Sequence, residues 1–397
     1  MSQPGYDHPA SEEMTTPLLC ATVSGGKRAT RLAFFIAGFA LACWAPLVPF
    51  AQARMHADAA MLGTILLCLG FGAVIGMPLA SVLSGRAGTK PVIIAGGVGL
   101  LVTLPLLAIL HTPLSLGVCL ALFGASIGAI DVAANIHGIE VQQLADTPLM
   151  SGFHGMYSLG GLAGASGMAA LLWAGSSVTQ AAVLAVIVVL LCLLLAVSGF
   201  LMTKVRESHP LFVVPRGCVI TIGVLLFMIF LAEGAMLDWS AILLTQYKQV
   251  ALSEAGSGYA AFAIAMAVSR MVGDSLIARF GERATLVAGF ITTALGITAT
   301  AWASSYLGVM LGLVVAGFAA GNIVPALFNL AGRQRAMPTQ LAIAAVSMMG
   351  YLGVLAGPGL IGHAAQHVGL ISAFHGVATL IGLMVLLVPG VTRRASE

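Results

Sequence analysis

Charge is what this chain has least of. Of its 397 residues, 59% are hydrophobic and 8% charged, and the mean hydropathy is +1.03. Soluble domains carry about 25% charged residues, so a soluble core is excluded. The cysteines at 20, 43, 68, 119, 192 and 218 are scattered, without a C-x-x-C pair. They read as small apolar residues, and neither a disulfide framework nor a metal site is expected. A G-x-x-x-x-G-K-[ST] phosphate loop is missing, because 24-SGGKRAT-30 lacks the spacing, so ATP-driven transport by this chain alone is not expected. No H-E-x-x-H or nucleophile-elbow pattern points to an enzyme, no basic stripe points to nucleic acid, and no cofactor is implied. Residues 1–26 lack a basic segment ahead of a short apolar core and read as a polar tail, not a cleaved signal peptide.

What is present is long apolar runs, such as 91-PVIIAGGVGLLVTLPLLAIL-110 and 181-AAVLAVIVVLLCLLLAVSGF-200. A helix needs about 20 such residues to cross the hydrocarbon layer. Breaks at charged, Pro-rich and Gly-rich turns predict an all-α membrane protein of twelve transmembrane helices. The spans fall near 31–50, 60–83, 91–110, 114–139, 149–173, 178–202, 217–245, 256–279, 284–303, 306–332, 340–362 and 371–389. With both termini in the cytoplasm, the inner set of basic residues is Lys27, Arg28, Arg31, Arg86, Lys90, Lys204, Arg206, Arg216, Arg279, Arg283, Arg333, Arg335, Arg393 and Arg394. Only Arg54 and Lys248 face outward and Arg270 falls within a span, which accounts for all 17 basic residues. That bias sets orientation by the positive-inside rule. Trp173 and Trp302 fall at outer helix ends, where interfacial aromatics are expected.

Landmarks recur at an offset of 193 residues: Arg86 and Gly88 with Arg279 and Gly281, Gly124 and Gly128 with Gly317 and Gly321, and 159-LGGLAG-164 with 352-LGVLAG-357. Three coincidences in register indicate a duplicated unit. The expected organisation is an N-terminal tail (1–30), a six-helix bundle (31–202), a linker (203–215), a second six-helix bundle (216–389) and a short cytoplasmic tail (390–397). Parallel repeats of this kind describe a secondary transporter that rocks about a midplane site.

On these features the chain resembles the major facilitator superfamily. The turns 86-RAGTK-90 and 279-RFGER-283 occupy the place of its G-x-L-a-D-R-x-G-R-K loop. Gly85 and Ser81 replace the acid and the leading glycine in the first copy. Ala278 replaces the acid in the second, with Asp274 one turn earlier. More narrowly, 131-DVAANIHGIEVQ-142, 154-HGMYSLGG-161, 232-AEGAMLDWSA-241 and 350-GYLGVLAGPGLIG-362 resemble the YbjJ-like and rhizopine-type (MosC-like) branch. The resemblance implies the two-bundle fold, alternating access and sugar- or cyclitol-like solutes.

Candidate functional residues follow from what is costly inside a bilayer. Glu233 lies roughly 24 Å along its span at 1.5 Å per residue, with Asp238 one turn beyond. An ionised carboxylate there costs about 2.5–3.5 kcal/mol on insertion scales, so both are read as proton-coupling or substrate acids; the alternative is structural hydrogen bonding for Glu233 and an outer gate or helix-break role for Asp238. Asp131 and Asn135 share a helix face, and in the superfamily the fourth helix lines the cavity. The resemblance therefore makes Asp131 a second coupling candidate, the alternative being a helix-packing hydrogen bond near the cytoplasmic end; Asn135, on the same face, is a candidate substrate contact. His154 is a capping residue or a proton relay; its repeat mate is Ser347. Asn322 and Asn329 share one face of the tenth span with Pro325, and with Tyr351 they offer hydrogen bonds to a polyol or to neighbouring helices. Trp44 and Trp239 would stack on a sugar ring or belong to an interfacial belt. Arg270 and Asp274, four residues apart, read as a gate latch. Glu140 and the basic residues Arg86, Lys90 and Arg279 belong to the same gate.

Apart from Arg270 no span carries a cation, which favours a neutral or cationic solute over an anion. The expectation is a monomeric, multi-pass inner-membrane symporter for protons and a small hydroxyl-rich solute. Its partners are solute, protons and lipid. The alternative is proton-antiport efflux of a cationic or amphipathic compound.

Overall fold

The computed structural model describes residues 10–56, 59–202, 214–248 and 257–395, so most of the expected linker lies outside the described residues. Every described element is helical. The N-terminal half comprises α1 (Ala10–Trp44), α2 (Val48–Met55), α3 (Ala59–Ala87), α4 (Thr89–Ile109), α5 (Pro113–Ala145), α6 (Met150–Trp173) and α7 (Val178–Val197). The C-terminal half comprises α8 (Cys218–Ile242), α9 (Ser257–Trp302), α10 (Tyr306–Ala320), α11 (Ile323–Arg333), α12 (Thr339–Val368), α13 (Leu370–Leu383) and α14 (Val388–Arg394).

These helices supply the twelve expected crossings once backbone chemistry is considered. α9 is two crossings joined at Gly281, where φ is 77°. Its repeat mate Gly88, at φ 85°, stands between α3 and α4. An L side chain resists that left-handed backbone, which explains why both turns keep glycine. The first crossing is jointed: α1 gives way to a tight turn at Ala45–Leu47 and then to α2, where Pro46 and Pro49 each remove a helical donor. α1 itself begins at Ala10, so part of the expected tail continues the first helix. The tenth crossing, expected as one helix, is broken between α10 and α11 at Gly321 and Asn322. The seventh ends in a π-helical turn, Leu243–Tyr247.

Within each half the same pairs of helices pack. α3 lies on α5 and α1 on α6; α9 lies on α10 and α8 on α12. The recurring glycines make this possible. A Cβ on Gly124 would strike the Leu69 carbonyl, and one on its mate Gly317 would strike that of Phe262, itself the mate of Leu69. Gly160 meets the Phe35 backbone as Gly353 meets that of Phe227. Such helices gain little from apolar burial, because lipid is equally apolar, so backbone-close van der Waals contact is the available attraction.

The outer surface is apolar. Leu67, Phe71, Ile75, Leu79 and Leu83 form an exposed stripe at every fourth residue of α3, and Leu114, Val118 and Leu122 do the same on α5. No soluble protein leaves such stripes uncovered; they face hydrocarbon. Trp173 and Trp302 are exposed at helix ends, as expected of interfacial aromatics.

Candidate functional site

The ionisable residues that the spans can least tolerate converge where the halves face each other. α5 supplies Asp131 and Asn135, and α6 supplies His154, Tyr157 and Ser158. From the other half come Glu233 on α8, Arg270 on α9, and Ser347 and Tyr351 on α12. Tyr157 stands among them, within electrostatic reach of Asp131, Tyr351, Glu233 and Arg270. Tyr351 also interacts with Asp131, and Glu233 with Arg270.

Hydrogen bonds extend from this cluster. Asn135 Nδ2 donates to the Asp131 carbonyl at 2.9 Å and lies 3.4 Å from its Oδ1. Asn135 Oδ1 is 3.3 Å from His154 Nε2. The sequence Asp131–Asn135–His154 is thus a continuous polar chain across α5 and α6. The His154 ring is buried between Phe34 of its own half, with centroids 4.9 Å apart, and Phe328 of the other, at 5.4 Å. Ser347 faces the Asp131 carboxylate, although its hydroxyl is outside hydrogen-bond geometry.

Arg270 owes its position to the break in the tenth crossing. Pro325 has no N–H, so the Gly321 carbonyl four residues earlier loses its helical donor. Arg270 Nε takes that acceptor at 3.2 Å, while its Nη1 donates to Ser158 Oγ of the other half at 2.7 Å. The guanidinium is buried, and among the described residues no carboxylate forms an ion pair with it. A buried cation without a contacting anion is costly, so its charge is set against Glu233 through space.

The halves are latched at the end bearing the Gly88 and Gly281 turns. Asp274 Oδ1 accepts from Ser151 N at 2.9 Å and Oδ2 from Gly152 N at 2.8 Å. These are free donors in the first turn of α6, at the positive end of its dipole. Ser81, the repeat mate of Asp274, donates to the Gln340 carbonyl at the start of α12 at 3.0 Å. Gln142 Nε2 donates to Asn329 Oδ1 at 2.9 Å, and its own Oε1 accepts from Leu149 N at 2.7 Å. The latch therefore has a charged seam between α6 and α9 and a neutral one in which α3 meets α12 and α5 meets α11.

Several sequence expectations change. Arg270 and Asp274 do not pair with each other, since each reaches separately across to α6. Arg270 also stands in the central cluster, so that cluster contains a cation after all. Asn322 Nδ2 donates within its own half, to Ser269 O at 3.0 Å and Ser269 Oγ at 2.8 Å, while its Oδ1 is buried without a hydrogen-bond partner; Asn329 Oδ1 accepts from Gln142 at the latched end. Trp44 is buried in the core, and Trp239, half-buried, packs against Gly362 of α12. Asp238 is on α8, with its side chain outside the described set. Arg86 is exposed, Lys90 is half-buried, and Arg279 lies over the neighbouring Phe280 ring at 5.3 Å. Glu140 borders a recess of about 820 Å³ with Thr22, Gly25, Gln143 and Gly199, at the latched end and away from the acids.

Tyr157, Ser158 and Gln142 were missed by sequence reasoning. Tyr157 and Ser158 follow His154 by three and four residues, on one helix face, and that spacing was the available signal. His137 is structural: Leu201 N donates to its Nε2 at 2.9 Å, and its Nδ1 meets Thr30 Oγ1 at 2.8 Å.

Duplicated helical halves, a lipid-facing surface and a charged cluster between the halves define a multi-pass membrane carrier. The profile of the Major Facilitator Superfamily matches residues 221–396. An uncharacterized MFS-type transporter of Yersinia pestis is 45% identical over 92% of this chain and 95% of its own. The membrane protein MosC of Rhizobium meliloti is 28% identical, over 93% and 92% of the two chains. Among solved structures, the E. coli fucose:proton symporter FucP superposes with a TM-score of 0.75 at 16% identity, over 92% of this chain and 98% of that one. The chain belongs to the major facilitator superfamily and is one of its transporters.

Proposed function

We propose that the protein is a proton-coupled symporter for a small neutral, hydroxyl-rich solute, sugar- or cyclitol-like, with Asp131 and Glu233 as the coupling acids. The observation that carries this reading is the convergence of Asp131, Glu233, Arg270, Tyr157 and Tyr351 from both halves. With both acids ionised the set carries one negative charge; one added proton makes it neutral. A neutral set is cheaper to rearrange in a low-dielectric interior, which ties the conformational change to proton loading. The phenols and Asn135 provide hydrogen-bond partners for hydroxyl groups. The similarity to FucP, a fucose:proton symporter, supports the same class. In this reading the protein sits in the inner membrane with both termini and the latched end in the cytoplasm, an orientation the positive-inside bias supports, and it works as a monomer, which a central site within one chain supports.

The decisive experiment is Glu233→Gln in proteoliposomes. The substrate would first be found by thermal stabilisation of the purified protein against sugars, cyclitols, amino acids and cationic drugs, because a ligand of the folded state raises apparent stability. Proton-driven accumulation is expected to vanish while counterflow exchange continues. Unchanged accumulation refutes the assignment. The excess of acids over cations in the cluster also fits a second reading, proton-antiport efflux of a cationic or amphipathic compound. A drug-susceptibility panel on expressing cells separates the two.

A further inference from the structure

Arg54 and Lys248 are the only two basic residues that the charge bias leaves on the outer side, and both are bound to helix C-termini. Arg54, on α2, donates from Nε to Leu110 O, from Nη1 to Ala108 O and from Nη2 to Leu107 O, each at 2.8 Å. Those carbonyls end α4, where the last turn has no helical donors. Lys248 Nζ donates to Ala301 O at 3.2 Å, in the last turn of α9. Ala301 is the repeat mate of Ala108. The two cations thus occupy equivalent places in the two halves, each on the negative end of a helix dipole.

What they hold is equally matched. Arg54 follows the proline-bearing joint of the first crossing, and Lys248 follows the π-helical turn of the seventh. Irregular turns of this kind are places where a helix bends. At the latched end, side-chain hydrogen bonds between halves continue inward to Arg270 and Ser158. On the outer side, Arg54 and Lys248 each tie the end of a crossing to its own half.

We propose that Arg54 and Lys248 are positioning residues, a repeat-related pair of clasps that hold the jointed outer ends of α1 and α8 back against α4 and α9. The clasps are unequal. A guanidinium fork gripping three carbonyls holds α2, whereas one ammonium bond holds the turn at Leu243–Tyr247. The α8 end is therefore the more loosely clasped of the two. This inference does not depend on the identity of the solute or on proton coupling.

The test is hydrogen–deuterium exchange on the full-length protein in nanodiscs, comparing segments 45–56 and 243–248. In the unsubstituted protein, 243–248 exchanges faster than 45–56. Arg54→Gln raises exchange in 45–56 by roughly tenfold, and Lys248→Gln raises it in 243–248 by about threefold, as loss of charge-assisted bonds of unequal number requires. Lys248→Arg, which adds donors, slows exchange in 243–248, so the idea stays testable even if the Gln variants fold poorly. Equal protection of the two segments, or variants that leave exchange unchanged, would overturn it.

Discussion

The charged seam of the latch offers the sharpest quantitative test. Asp274→Asn keeps the size of the side chain but replaces one acceptor oxygen with an NH2 group. One of the two bonds, to Ser151 N or Gly152 N, is lost, and a donor is left against a donor. Hydrogen bonds to charged groups contribute about 1.5–3 kcal/mol, and a charge at a helix end up to about 2 kcal/mol when partly buried. Allowing for overlap between the two effects, the latched state loses about 2–4 kcal/mol relative to the unlatched one. Each 1.4 kcal/mol is a factor of ten, so the ratio of the two states shifts by roughly thirty- to a thousandfold. The shift would be read by double electron–electron resonance between labels replacing Arg86 and Arg279, which are exposed in opposite halves at this end. A longer distance component should dominate in Asp274→Asn. Protonating the same carboxyl removes its charge, so acid moves the unsubstituted protein in the same direction. Gly152→Ala provides an independent check, because its Cβ would stand 2.9 Å from Asp274 Oδ2 and push the carboxylate away without changing its charge. An unaltered distance distribution in Asp274→Asn would refute the reasoning.

Two further predictions concern the repeat. Gly124→Val and Gly317→Val each drive a side chain into a backbone carbonyl of the neighbouring helix. Each is expected to cost at least the 1–3 kcal/mol typical of overpacking, seen as a lower melting temperature; a variant as stable as the original would show that the helices are not in contact there. Pro325→Ala restores the N–H that Gly321 O lacks and makes it compete with Arg270. The α10–α11 break should straighten, with slower amide exchange around residues 321–326, and unchanged exchange would show that proline does not cause the break.

The crossings, the repeat and the identity of the central acids were legible because each rests on composition or spacing. Glycines at a fixed offset identified the packing seams before any helix pair was known. What sequence could not show was direction across the interface. Arg270 and Asp274 look like an i,i+4 pair in one dimension, but the α6 N-terminus supplies better donors to the carboxylate, and a carbonyl orphaned by Pro325 captures the guanidinium. Asn322 and Asn329 suggested ligand amides, yet the break before Pro325 turns the first toward Ser269 and leaves the second facing Gln142. Trp44 and Trp239 looked interfacial by depth; only packing reveals that one is enclosed and the other lies on α12.

The helices differ widely in length, and the membrane must respond to that. α7 has 20 residues, about 30 Å at 1.5 Å per residue, which matches the hydrocarbon layer. α3 has 29 residues and α5 has 33, about 44 and 50 Å. These two lean or protrude where α7 fits, and their inclination changes with bilayer thickness at a modest energy per ångström. Their far ends carry Ser81 and Gln142, which bind Gln340 and Asn329 across the seam. Lipid chain length is thus mechanically coupled to the neutral seam, and the same protein will be set differently in a thin membrane and in a thick one.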